Sequence, residues 1–143
     1  MKQLLSYSTY INESNRPCVS FDFDGVLHKS VIGIHPIDMF HPETWTPSLN
    51  MFKQVKLESQ NNDLVIVTAR DNWNRPELET FVKMYNLPFT KIYFTNNQSK
   101  LSILKKLNVI RHYDDRDISD ELKNFGIQFM LVDAKTEMFN QIN

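Results

Sequence analysis

The stretch Cys18-Val19-Ser20-Phe21-Asp22-Phe23-Asp24-Gly25-Val26 decides how the chain reads. Cys18 to Phe21 is apolar and β-prone, the pattern of a buried strand, and Pro17 opens it. Two carboxylates follow, two residues apart, and then a glycine. Positions i and i+2 of a strand share a side, so Asp22 and Asp24 crowd together wherever the strand continues. Their repulsion costs free energy unless a proton or a cation sits between them. The pair is either an expensive accident or a metal-assisted catalytic edge. Gly25 favours the second, because it permits a sharp exit and a close backbone approach to a ligand.

Outward from this stretch the chain alternates strands with amphipathic helices. Leu64-Val65-Ile66-Val67 is a second buried strand ending at Thr68-Ala69-Arg70, Lys91 to Thr95 a third, Val109 to Tyr113 a fourth running into Asp114-Asp115-Arg116, and Ile127 to Val132 a fifth. Between them, a helix starts at Pro47-Ser48 with Leu49, Phe52, Val55 and Leu57 near helical spacing. A second runs from Pro76 through Tyr85 with Leu78, Phe81, Val82 and Tyr85 on one face. Ser99 caps a third through Leu107, and a fourth spans about 118–125 and stops at Gly126. This order predicts an α/β, Rossmann-like fold: a parallel five-stranded sheet flanked by helices. Residues 17–143 read as one unit and residues 1–16 as an N-terminal arm, for which a short helix, an edge strand and a mobile arm all stay open. From Leu27 to Pro47 the pattern breaks, with three prolines, three histidines and no period. It reads as a long loop or a β-flap over the strand end.

Composition bounds the function. The 143 residues are enough for one domain with a real core, and 41% apolar with 23% charged residues is ordinary for a soluble globular protein. A net charge of −1 gives no bulk attraction to nucleic acid or membrane, so phosphate binding has to come from local groups. The single cysteine, Cys18, excludes an internal disulfide. No signal-like or membrane-spanning run is present, and a cytoplasmic location is the expectation. Three glycines, none closely spaced, exclude a GxGxxG loop and a P-loop, and with them a nicotinamide oxidoreductase and a P-loop kinase. His28, His35 and His41 lack zinc spacing and read as surface or substrate-facing histidines.

In a parallel sheet the ligand lies beyond the carboxyl ends of the strands. Asp22 and Asp24, Thr68 and Arg70, and Asp114 and Asp115 all fall at such ends and converge on one edge. Several carboxylates together call for a divalent cation, and oxygen ligands select Mg2+ over zinc. Asp22 is then placed to attack phosphorus, with Asp24 protonating the leaving oxygen and later activating water, provided neighbours raise its pKa. Thr68 and Lys100 would hold the phosphoryl oxygens. Each feature alone has a plainer reading: a strand-end turn for Asp22 and Asp24, a strand threonine, a solvated lysine, an N-cap for Asp114-Asp115-Arg116, a structural ion pair for Arg70. Their joint occurrence carries the argument.

Asp22-Phe23-Asp24-Gly25-Val26, Thr68 after an apolar strand, Lys100 at a helix start and Asp114-Asp115 after a further strand resemble, in order, the four motifs of the haloacid dehalogenase superfamily of phosphotransferases. The resemblance runs from Pro17 to Val132. It implies Asp22 as nucleophile, Asp24 as acid/base, and Mg2+ held by the Asp22 carboxylate, the Asp24 main-chain carbonyl and one of Asp114 and Asp115, with Asp115 favoured as the direct ligand. The substrate-facing positions are Gly25, Ala69, Arg70 and Arg116. The spacing leaves no room for a large cap domain, which suits a large substrate or closure by a partner subunit. The Thr-Ala-Arg and Asp-Asp-Arg variants resemble polynucleotide kinase 3′-phosphatase domains and 5′(3′)-deoxyribonucleotidases. They point to a Mg2+-dependent phosphomonoesterase for a nucleotide or nucleic-acid terminal phosphate, with a non-nucleotide metabolite or a non-catalytic binding module of the same fold as alternatives. Arg75, Trp45 and Trp73 are further candidates to grip phosphate or base, although both tryptophans are equally candidates for core or flap anchors. The oligomeric state stays open.

Overall fold

The computed structural model describes residues 15–29 and 39–143. The expected arm lies almost wholly outside these residues, as does His35. Of the arm, Arg16 is described: its Nη2 donates to the Ser59 and Asn62 carbonyls at 2.7 and 3.0 Å.

The expected alternation holds. Strand β1 (Cys18–Phe21) is followed by α1 (Leu49–Ser59), β2 (Asp63–Thr68), α2 (Arg75–Met84), β3 (Phe89–Phe94), α3 (Leu101–Lys106), β4 (Val109–Asp114), α4 (Ser119–Leu122), β5 (Gln128–Val132) and β6 (Phe139–Gln141). The sheet order is β3-β2-β1-β4-β5-β6. β1 sits between β2 and β4, parallel to both, so its carboxyl end opens where the strand order reverses, the usual place for a ligand. The five-stranded expectation needs correction: the sheet has six strands, and β6 pairs with β5 antiparallel. β6 is three residues long and only its Phe139 is partly buried, so no hydrophobic period announces it. The turn before it forms it instead. Asp133 Oδ1 accepts from the Lys135 and Thr136 amides at 2.8 and 3.3 Å, and Glu137 takes a positive φ of 62°. Glu137 then reaches back, accepting from Lys29 Nζ at 2.7 Å and from the Asn50 amide at the start of α1 at 2.8 Å.

Period-2 alternation divides the core. Val19 and Phe21 of β1, Leu64 and Ile66 of β2 and Tyr113 of β4 meet Phe52 and Val55 of α1 and Leu78 and Phe81 of α2 on one face. Cys18, Val65, Val67 and Val109 meet Leu104, Leu107 and Leu122 on the other. Fully burying a side chain such as Phe81 contributes about 2–3 kcal/mol. The expected stripe of α1 shifts: Met51, Phe52, Val55 and Glu58 are buried, whereas Leu49 and Leu57 are exposed. At 100° per residue the last two fall off the buried face. Glu58 takes a core position because Arg111 and the Tyr113 hydroxyl, which donates at 2.6 Å, satisfy its carboxylate. The fourth helix is shorter than expected, but the chain does turn at Gly126, with φ 71°. No helix among the described residues is long and apolar enough to cross a membrane.

Candidate functional site

β1 stops at Phe21, after which the Asp22 amide makes a last ladder-like bond to the Tyr113 carbonyl at 2.8 Å. The backbone then folds over. The Val26 and Leu27 amides both donate to the Phe23 carbonyl, at 3.2 and 2.9 Å, and the Gly25 amide donates to His28 O at 2.9 Å. This turn resolves the crowding expected of two carboxylates at i and i+2, sending Asp22 and Asp24 to different partners.

Asp22 points toward the end of β4. One carboxylate oxygen each from Asp22, Asp114 and Asp115 lies within 4.8 Å of the others. Lys100, at the start of α3, bridges two of them, with Nζ 2.9 Å from Asp22 Oδ1 and 2.7 Å from Asp114 Oδ2. Ser99, the expected cap, lies one residue before the actual cap Lys100, and its Oγ accepts from the Leu101 amide at 3.2 Å. Asp114 is held on both oxygens, Oδ2 accepting also from His112 Nε2 at 2.9 Å and Oδ1 from the Arg116 amide at 3.1 Å. Gly25 is needed here for a concrete reason. Its φ is +79°, and a Cβ would sit 2.1 Å from Asp115 Oδ2. The close approach inferred from the sequence is thus made by the Asp115 carboxylate.

Three carboxylates around one ammonium leave the cluster short of positive charge. Burial, then the charge of Asp114, raises the Asp22 pKa well above its ordinary value, with Lys100 only partly opposing. Partial burial and the charge of Asp114 also push Asp115, which keeps one side to solvent, up to about 6. Burial acts the same way on Asp114, but the His112 hydrogen bond and the Lys100 charge outweigh it and hold the group below the usual carboxylate range. Burial disfavours the Lys100 charge too, yet Asp22 and Asp114 more than restore it. An all-oxygen donor set with surplus negative charge fits a hard divalent cation.

Asp24 turns the other way. Arg70 clamps it with two parallel bonds, Nε to Oδ2 at 2.9 Å and Nη2 to Oδ1 at 2.6 Å, while His28 Nε2 lies 2.8 Å from Oδ1. Burial pushes the Asp24 pKa up, but the hydrogen bonds and charges of His28 and Arg70 prevail and lower it to about 2. A raised pKa was the condition for Asp24 as a general acid, and this geometry reverses it. Arg70 is corrected as well: only 8% of its side chain is exposed, and its guanidinium lies 4.9 Å from the Trp45 ring and 5.2 Å from Phe23. It orders Asp24 and does not present itself to a substrate. His28, read from the sequence as a surface or substrate-facing histidine, is buried and stacks on Trp45 at 5.2 Å. Trp45 is therefore a core anchor. Trp73, by contrast, is 53% exposed and lies 5.8 Å from the exposed Phe40. Arg75 lies over Phe94 at 4.8 Å.

A cavity of about 510 Å³ is lined by Asp22, Asp24, Gly25, Ala69, Lys100, Asp114, Asp115 and Arg116. Two expected site residues are not on its wall. One is Arg70, for the reason given. The other is Thr68, which is wholly buried and whose Oγ1 accepts from the Arg70 amide at 3.2 Å, so its hydroxyl caps the strand end instead of facing a ligand. A larger groove of about 910 Å³ runs between α2 and β3 and carries none of the carboxylates. Sequence reasoning missed His28, Ser20 and His112. Strand alternation could have found the last two, since each lies two residues before a site aspartate on the same face.

No protein-family model matches the sequence, and no curated protein matches it. Among solved structures, chains described as "Structure of the Pnkp1/Rnl/Hen1 RNA repair complex" and "Structure of Pnkp1/Rnl/Hen1 complex" are similar to this one. Both superpose with a TM-score of 0.64 at 19% identity over 83% of this chain. That overlap is 43% and 47% of those chains, so this protein spans less than half their length. At this identity the likeness is one of fold.

Proposed function

We propose that the protein is a Mg2+-dependent phosphomonoesterase that removes a terminal phosphate from a nucleotide or a nucleic-acid end. One observation carries the reading: three carboxylates from the ends of two neighbouring strands, β1 and β4, meet within 4.8 Å, with the Lys100 ammonium bridging two of them. Mg2+, held by Asp22, Asp115 and the Asp24 main-chain carbonyl with Asp114 in support, would neutralise phosphate charge when bound. Asp22 attacks phosphorus, forming an aspartyl-phosphate as the ester P–O bond breaks, and water then cleaves the acyl-phosphate. Lys100 stabilises the phosphoryl oxygens. Asp24, ionised by its partners, suits activation of that water. For the first step it needs a proton, and the negative charge of a bound phosphate acts in that direction.

The nucleic-acid side of the proposal draws on the fold shared with chains of an RNA repair complex and on the exposed Trp73–Phe40 pair. An exposed ring can stack a base for about 1–3 kcal/mol. Hydrolysis of p-nitrophenyl phosphate is the test, with Mg2+ expected to be required and Asp22→Asn expected to be inert. Equal rates for mutant and wild type would end the proposal. A panel of 3′- and 5′-phosphorylated oligonucleotides, mononucleotides and sugar phosphates then ranks the substrate, and preference for sugar phosphates removes the nucleic-acid assignment. The lowered pKa of Asp24 favours a second reading, a phosphate-binding module without turnover, which predicts phosphate-dependent stabilisation with no hydrolysis.

A further inference from the structure

Beneath the carboxylate cluster lies a pair of polar side chains that packing does not require. Ser20 and His112 are cross-strand neighbours on β1 and β4, each fully buried, on a sheet face otherwise lined by residues such as Val67, Leu104 and Phe129. Ser20 Oγ lies 2.6 Å from His112 Nδ1, and His112 Nε2 lies 2.9 Å from Asp114 Oδ2. Alternation places Ser20 below Asp22 and His112 below Asp114, so the pair forms a polar layer one step under the site. Asp114 is an ionised acceptor, so the ring presents Nε2–H to it and Nδ1 accepts a hydrogen bond from the Ser20 hydroxyl. The same Asp114 oxygen accepts Lys100, which also binds Asp22.

We infer that Ser20 and His112 are positioning residues: through Asp114 and Lys100 they fix the Asp22–Asp114–Asp115 cluster in the geometry that takes a divalent cation. A bland alternative is a satisfied core histidine that contributes only to stability. The two differ in what they predict for the site. Outer hydrogen-bond partners that orient the groups of a metal site typically govern metal affinity or activity by about 10–100-fold. A core histidine governs only the fraction folded.

This inference rests on the metal-dependent reading above, and the experiment separates the two. Mn2+ binding to the full chain is measured by calorimetry for wild type, His112→Leu, His112→Gln and Ser20→Ala, under conditions where each is shown to be folded. His112→Leu is expected to weaken Mn2+ binding by about 10–100-fold. His112→Gln, which can still offer an N–H near the Nε2 position, recovers most of the loss, and Ser20→Ala falls between. A folded His112→Leu that binds Mn2+ within twofold of wild type overturns the inference alone. A wild type that takes up no Mn2+ overturns the metal reading and this inference with it. Should His112→Leu not fold, Ser20→Ala carries the comparison: a folded Ser20→Ala that binds Mn2+ within twofold of wild type overturns the inference. The metal-free protein supplies an independent check, a 15N spectrum of the His112 ring with Nε2 protonated. A ring lacking that proton overturns the arrangement.

Discussion

Replacing Gly25 by alanine separates backbone strain from displacement of a site carboxylate. Gly25 and Gly126 both have positive φ, +79° and +71°, and alanine at either position pays about 1–2 kcal/mol for the left-handed conformation. For a chain of this size that lowers Tm by about 4 °C per kcal/mol. The surroundings differ. Nothing lies within 4 Å of a Cβ at Gly126, whereas at Gly25 it meets Asp115 Oδ2 at 2.1 Å and Cγ at 2.6 Å. Ordinary contact begins near 3.4 Å, so the Asp115 carboxylate has to retreat by more than an ångström. Asp115 is exposed and can swing toward solvent, so stability suffers little beyond the strain. The site does suffer, because a misplacement of about 1 Å costs about 100-fold in a preorganised centre. Gly25→Ala and Gly126→Ala should therefore show similar falls in Tm by calorimetry. Only Gly25→Ala should weaken Mn2+ binding and lower the proposed phosphatase activity, the latter by about 100-fold. Equal Mn2+ affinity in the two variants would refute the reasoning.

Three other outcomes follow from the charges. With its folded pKa raised to about 6, Asp115 withdraws stability as pH rises from the ordinary carboxylate range through that value, and a cation competes with its proton. Metal-free Tm should fall between about pH 4 and pH 6, and Mn2+ affinity should rise with pH over the same window by up to about tenfold per pH unit as the Asp115 proton is displaced; affinity flat across that range contradicts the assignment. Asp24 has the opposite sign: its lowered pKa contributes stability at neutral pH that disappears as pH falls through about 2. Arg70→Gln should move that pKa up, because the burial that raises it remains, and a carboxyl 13C titration that still finds it near 2 refutes the role given to Arg70. Glu58→Ala removes the bonds to Arg111 and Tyr113 and should lower stability by about 2–3 kcal/mol in urea titration; a loss under about 0.5 kcal/mol would class the pair with surface ion pairs.

The parts legible in sequence were those set by period and topology. Asp22, Lys100, Asp114 and Asp115 meet because strands in a parallel sheet end at one edge and a helix begins there, and the strand and helix patterns revealed those ends. The lowered pKa of Asp24 and the inward turn of Arg70 and Thr68 went unforeseen because they depend on the turn from Phe23 to Leu27 and on the hydrogen bonds closing the end of β2. Neither leaves a periodic trace. Trp45 was undecidable for a related reason: an aromatic residue in an unpatterned loop carries no mark of inside or outside. Strand β6 went unseen because a turn, held by the Asp133 side chain, creates it.

That same turn has a mechanical consequence. Glu137 fastens Lys29, 108 positions earlier in the chain, and the first turn of α1 at once. Lys29 follows His28 directly, and His28 grips Asp24. The hairpin tip is thus a handle: a binder, cross-link or charge reversal that pulls Glu137 away slackens the tether of the segment carrying Asp24.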